Sequence, residues 1–146
     1  MIEIGPLRPG DRAAWEKLAR GYKAFYQTPT SDAEYAATWG RLIGQDGIFG
    51  LGAKIDGRLV GIAHFLFHTT IWAPRACYLQ DLFTAHEARG KGVGRALIEA
   101  VAREARKQGV QRYYWLTQEH NAIARALYDK VARFNGFIRY EFPLED

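Results

Sequence analysis

Cysteine is nearly absent. Cys77 is the only one among 146 residues, so no internal disulfide can staple the fold. No set of Cys and His residues has the spacing of a zinc site, and no metal is expected. Long apolar runs are missing too. None approaches the ~20 residues that cross a bilayer, and Met1-Ile2-Glu3-Ile4-Gly5-Pro6 has no signal-peptide pattern, which points to the cytoplasm and away from a membrane partner. The chain also lacks repeats, linkers and low-complexity segments. Lys and Arg outnumber Asp and Glu by 20 to 16, and the net charge of +4 favours an anionic partner. These cations are scattered, with no basic run interleaved with aromatics, so nucleic acid is not the expected one.

What is present builds a core. At 48% hydrophobic and 14% aromatic, residues 1–146 read as one globular domain. Ile2 to Leu7 predicts a short strand closed by Pro6 and Pro9-Gly10. Asp11 can N-cap a helix to about Tyr26, with Trp15, Leu18, Ala19, Tyr22 and Phe25 or Tyr26 on one face. Ser31 and Glu34 form a capping box for a second helix to about Leu42, ended by Gly44 to Gly47. Ile48 to Ile55 and Leu59 to Thr70 are strands joined by Asp56-Gly57, a two-residue hairpin signal. Ala76 to Thr84 reads as a buried strand in which Cys77 is a small packed hydrophobe. Val93, Ala96, Leu97, Ala100, Val101 and Ala105 then form the apolar stripe of a helix stopped at Gly109. Arg112 to Thr117 is a fifth strand. Asn121 opens a helix with inner stripe Ile123, Leu127, Val131 and Phe134, stopped at Asn135-Gly136, and Phe137 to Phe142 is a final strand. The order β-α-α-β-β-β-α-β-α-β predicts a mixed α/β sheet.

One junction carries the chemistry. Between the buried strand and the long helix lies Arg89-Gly90-Lys91-Gly92-Val93-Gly94. A helix start offers unpaired N–H groups and partial positive charge, and glycine lets an anion reach them. Arg89, Lys91 and Arg95 surround that point with full charges, giving a phosphate cradle. The Rossmann pattern fails, because Arg95 stands where its third glycine belongs, and no Gly-Lys-Ser/Thr ends the run as a P-loop requires.

The pattern that fits is R-x-x-G-x-G, and it resembles the acyl-CoA pyrophosphate loop of the GNAT superfamily of N-acetyltransferases. The resemblance covers nearly the whole chain and is strongest from Tyr78 to Tyr140. YLQDLF, RGKGVGRAL, YYWLT, NAIARALYDKVA and GFIRY are similar to segments of the yeast histone/polyamine acetyltransferases and their bacterial relatives. The resemblance implies an α/β (α+β) fold with a mixed, mostly antiparallel sheet flanked by helices. It implies acetyl-CoA as acyl donor, whose phosphates also account for the positive charge balance. Arg89, Gly90, Lys91, Gly92, Val93, Gly94 and Arg95 would hold its diphosphate, while Leu82, Phe83 and Thr84 would lend backbone groups to the pantetheine arm. Asn121 matches a residue that hydrogen-bonds this arm, although a plain helix N-cap explains it equally.

The same resemblance makes Tyr128 the general acid towards the departing thiolate; the alternative is a half-buried tyrosine bonded to backbone. At Gln80, polyamine-acetylating kin often carry a glutamate that draws the amine proton through water. Glutamine cannot do so. Asp81 is then the first candidate for base, ahead of Glu119, His64 and His68, and it can equally serve to bind a cationic substrate. The two histidines read as packed or solvated. Tyr22, Phe25, Tyr26, Tyr35 and Trp39 lie on helices that in this family wall the acceptor pocket, though helical spacing makes most of them core. The expected activity is direct acetyl transfer to the primary amine of a polyamine, amino acid or related metabolite. Protein N-terminal or lysine acetylation and a non-catalytic CoA-binding module are the alternatives. Kin of this type often form homodimers, for which Phe137, Ile138, Tyr140 and Phe142 would supply a seam.

Overall fold

The Asp56-Gly57 pair fixes the first hairpin. In the computed structural model, which describes residues 1–145, the two adopt φ of 51° and 78°, the double left-handed turn that such a hairpin demands. They join β2 (Ile48–Ile55) to β3 (Arg58–His68) with Ile55 opposite Arg58. β1 (Ile2–Pro6) pairs antiparallel with β2, and β4 (Ala76–Thr84) pairs antiparallel with β3. The short β5 (Arg112–Tyr114) pairs parallel with Ala76 to Tyr78 of β4. The sheet order is β1-β2-β3-β4-β5, mixed and mostly antiparallel, as expected.

Helices α1 (Arg12–Phe25) and α2 (Asp32–Gly44) precede β2, and α3 (Val93–Lys107) follows β4. The capping box at α2 forms: Glu34 N–H donates to Ser31 Oγ at 3.2 Å, and Ser31 N–H reaches Glu34 Oε1 at 3.5 Å. A left-handed Gln45, not a glycine, closes α2. Asp11 does not cap α1; its carboxylate accepts from Arg8 N–H at 2.8 Å and pairs with Lys54 at 3.0 Å. α3 buries Val93, Leu97, Ile98, Ala100, Val101 and Ala105, and Gly109 ends it with φ of 67°. Trp15, Leu18, Tyr35, Trp39 and Leu42 complete the core with Ile62, Phe65 and Leu79 of the sheet. Cys77 is fully buried, and that burial pushes its thiol up to about 11, consistent with an inert packed residue.

The chain divides into two compact units, Met1–Leu116 and Thr117–Asp146. The second contains α4 (Ala122–Val131), capped by Asn121 Oδ1 on the N–H of Ala124 at 3.3 Å. Four expectations fail from Arg112 onward. The fifth strand stops at Tyr114 because its ladder has only three rungs. α4 ends at Val131, where Ala132 turns extended; Asn135 instead accepts from the N–H of Phe137 and Gly136 turns left-handed, so Asn-Gly turn chemistry claims that segment. Ile123 and Phe134, expected on the inner stripe, are exposed. Residues 137–142 carry no strand, because no ladder forms to support one.

Candidate active site

Two features of β4 organise the site. The first is a bulge. Phe65 lies opposite Leu79, but His64 lies opposite Asp81, so Gln80 is the extra residue on β4. A regular ladder would set His64 against Gln80. The slip brings His64 Nδ1 to 2.8 Å from Asp81 Oδ2, with both side chains largely buried. The second feature is an open edge. β5 pairs with β4 only as far as Tyr78, so the edge from Leu79 to Thr84 has no strand partner among the described residues. Leu82, Phe83 and Thr84 lie on that stretch.

α1 closes over the bulge. A Cβ on Gly21 would sit 3.0 Å from the Phe83 ring, so the glycine permits a close approach to β4. Two turns of helix separate Trp15 from Tyr22, and both point at the same pair of strands. Trp15 Nε1 donates to His64 Nε2 at 2.9 Å, and the Tyr22 hydroxyl hydrogen-bonds Asp81. Burial pushes the Asp81 carboxyl up, but His64, the Tyr22 hydroxyl and the charge of Lys23 together hold it below the ordinary carboxylate range. Burial, and then the Asp81 charge and hydrogen bond, push the Tyr22 phenol well up, so it stays protonated. Asp81 is therefore a standing carboxylate. That suits it to hold a cation better than to take up a proton.

Beyond β4 a single 3-10 turn (His86–Ala88) leads into the glycine loop. Gly90 and Gly92 both lie at positive φ, 79° and 83°, and a Cβ on either would meet open space. No side chain caps α3, and no acidic residue occupies its first turn. The contrast with the capped α2 and α4 is direct, and it leaves the first-turn N–H groups open to an anion. Arg89 and Lys91 are exposed here. Arg95 is not a free charge, since its Nε meets Glu99 Oε1 at 2.8 Å.

A cleft of about 420 Å³ lies beside the end of β4, lined by Lys17 and Leu18 of α1, Lys54 and Arg58 of the hairpin, and Phe83. It does not include Asp81. Gln80 is exposed on the bulge with no side-chain hydrogen bond among the described residues. His68 forms a separate pair with the Tyr114 hydroxyl at 2.8 Å, and Glu119 is exposed. Of the residues expected to wall an acceptor pocket, Tyr35 and Trp39 are core, Phe25 is exposed, and Tyr22 and Tyr26 are half-buried with rings 4.9 Å apart. Tyr128 is half-buried on α4. The sequence offers Asp81 and His64 as separate candidate bases, Tyr22 as a pocket residue and Trp15 as core, but nothing in it pairs them. The strand pattern of β3, RLVGIAHFLFH, does not set His64 apart from His68. Among the described residues, no group of three or more His, Cys, Asp or Glu is placed to hold a metal ion.

Comparison with known proteins gives this geometry a family. Residues 13–134 match the model of the acetyltransferase (GNAT) family. The D-amino-acid N-acetyltransferase HPA3 of Saccharomyces cerevisiae is 36% identical over 144 residues, covering 96% of this chain and 89% of that protein. A thialysine N-epsilon-acetyltransferase of Caenorhabditis elegans is 30% identical over 88 residues, covering 60% and 55% of the two chains. Among solved structures, AAC(6')-Iy in complex with a CoA bisubstrate analogue superposes with a TM-score of 0.85 at 17% identity, covering 98% of both chains. The open strand edge, the uncapped glycine-rich helix start and these matches agree: the chain belongs to the GNAT family of acetyltransferases.

Proposed function

We propose that this acetyltransferase moves the acetyl group of acetyl-CoA directly to the primary amine of a free amino acid, within a ternary complex. The observation that carries the reading is the open edge of β4, from Leu79 to Thr84, which a 3-10 turn and the glycine loop connect to the uncapped start of α3. Asp81 to Thr84 spans about 10 Å at ~3.3 Å per residue. An extended pantetheine arm can pair along that edge through the backbone of Leu82, Phe83 and Thr84, with its diphosphate on the N–H groups that follow Gly92. Asp81 holds the acceptor's ammonium beside the thioester.

The amine must shed one proton to solvent before its lone pair attacks the thioester carbonyl. The C–N bond forms and the C–S bond breaks, the thiolate takes a proton from the Tyr128 hydroxyl, and the second proton of the nitrogen passes through solvent to restore that hydroxyl. That role for Tyr128, and a pantetheine contact for Asn121, rest on the family resemblance. Asn121 Oδ1 is engaged as a cap, which leaves its amide N–H₂ as the donor.

Lys23 favours an amino acid over a polyamine. It is half-buried, forms no ion pair among the described residues, and its charge acts on Asp81. An anion and a cation side by side suit a zwitterion, whereas a polycation would be repelled by the lysine. HPA3, by its name, acts on D-amino acids. A homodimer in the cytoplasm completes the reading, with the exposed Phe137, Ile138, Tyr140 and Phe142 as its apolar seam. The test is release of free thiol from acetyl-CoA with D- and L-amino acids, diamines and peptides. Turnover with free amino acids is expected. Turnover with peptides alone would overturn it.

A further inference from the structure

The bond from Trp15 to His64 fixes where the imidazole carries its proton. An indole N–H only donates. Nε2 of His64, 2.9 Å from Trp15 Nε1, is therefore the acceptor and is unprotonated. The ring proton lies on Nδ1, 2.8 Å from Asp81 Oδ2, and is donated to the carboxylate. An imidazolium would set two N–H donors against each other. Trp15 cannot swing aside to relieve that clash, being 1% exposed with its ring against Trp39 at 5.1 Å.

We infer that Trp15 and His64 are positioning residues for the acceptor: Trp15 holds His64 neutral, and neutral His64 fixes Asp81 in place without cancelling its charge. This rests on the reading of Asp81 as the carboxylate that binds the acceptor's ammonium. A charged His64 would form an ion pair with Asp81 and compete with the substrate for it. Other ionisable groups act around this pair. β4 contributes Tyr78, which acts on Tyr22, and beside Tyr22 and Lys23 of α1 lies Tyr26, which also acts on Tyr22. β2 faces His64 with Gly50, and Trp39 of α2 packs on Trp15.

Ring ¹⁵N NMR reads the first half of the claim without any turnover, with the His64 signals assigned by their loss in His64→Asn. The expected result is a neutral ring in the Nδ1–H tautomer. An Nε2–H tautomer, or an imidazolium, would overturn the inference. Kinetics reads the second half. In Trp15→Phe, His64 is free to protonate, so the acceptor KM should rise roughly tenfold more than wild type between about pH 7.5 and 5.5, the range in which imidazoles in general change charge. The KM for acetyl-CoA should not follow it. His64→Asn, neutral at every pH, should give an acceptor KM profile parallel to wild type. A Trp15→Phe profile parallel to wild type would also overturn the inference. If Trp15→Phe does not fold, the NMR result decides alone. Asp81→Asn separates the two readings: an unchanged acceptor KM there removes Asp81 from the acceptor site whatever tautomer His64 adopts.

Discussion

Arg95 Nε meets Glu99 Oε1 at 2.8 Å one turn along α3, so one of the three cations around the helix start is already matched. Arg89 and Lys91 have no carboxylate within ion-pair distance among the described residues; the Arg89 guanidinium lies over the Phe83 ring and reaches the Thr84 carbonyl at 3.4 Å. The three cations of the loop are therefore not equivalent. Arg89→Ala and Lys91→Ala should each weaken acetyl-CoA binding by roughly tenfold, the scale of one charge-assisted hydrogen bond. Arg95→Ala should cost less than about threefold, as for an exposed pair. Calorimetric titration with acetyl-CoA ranks them, and an Arg95 variant weaker than the other two would contradict this order.

Tyr128→Phe removes a hydroxyl and little else. With Tyr128 as the thiolate's proton donor, kcat should fall by about 10² to 10⁴. Acetyl-CoA affinity should hold, and the variant should fold. Steady-state kinetics on the purified variant decides it, and near-wild-type kcat would remove Tyr128 from the mechanism.

Lys23→Glu turns the charge beside Asp81 from mixed to wholly negative. Amino-acid turnover should drop at least about tenfold through KM, and diamines should gain, since like and unlike charges set such preferences. Competition between an amino acid and a diamine in one assay gives the ratio directly. If the ratio does not move, Lys23 has no part in choosing the acceptor.

Gly61 lies where α3 presses on β3. A Cβ there would stand 2.6 Å from Val93 Cγ1 and 3.0 Å from Leu97 Cδ1, both on fully buried side chains. Gly61→Ala should therefore overpack the core by about 1–3 kcal/mol and lower the melting temperature by roughly 3–10 °C. A thermal melt within a degree of wild type would show that α3 packs more loosely than this.

Two buried groups bend the pH dependence of stability in opposite limbs. The folded-state value of Asp81 lies below its unfolded one, so its contribution is present above about pH 4 and is lost as pH falls through the folded value. Cys77 is the reverse. Its thiol rises to about 11 in the fold, so its contribution is complete below about pH 8.5, the unfolded value, and is lost as pH climbs to 11. Melting curves of Asp81→Asn should be flatter in acid, and those of Cys77→Ala flatter in base. A variant curve that merely shifts down in parallel would contradict the assignment.

The parts of this molecule that were legible in the sequence are those set by local chemistry. Ser31 and Glu34 cap α2, Asp56-Gly57 turns a hairpin and Gly109 ends α3, each through neighbours a few residues away. The glycine loop was legible for the same reason. What escaped depends on register and distance. Nothing in the strand pattern says that Gln80 is an extra residue, yet that slip alone sets His64 against Asp81. Trp15 meets His64 across 49 residues, a contact that no periodicity encodes. Phe137 to Phe142 has strand composition but no ladder, and composition without a partner does not make a strand.

The most direct test of the central claim is the thiol-release assay with acetyl-CoA and a free amino acid, run on wild type and Asp81→Asn side by side. The account predicts turnover in the wild type and a large rise in acceptor KM in the variant, with acetyl-CoA affinity unchanged. Equal acceptor KM in the two proteins, or no thiol release from wild type with acetyl-CoA bound, would contradict it.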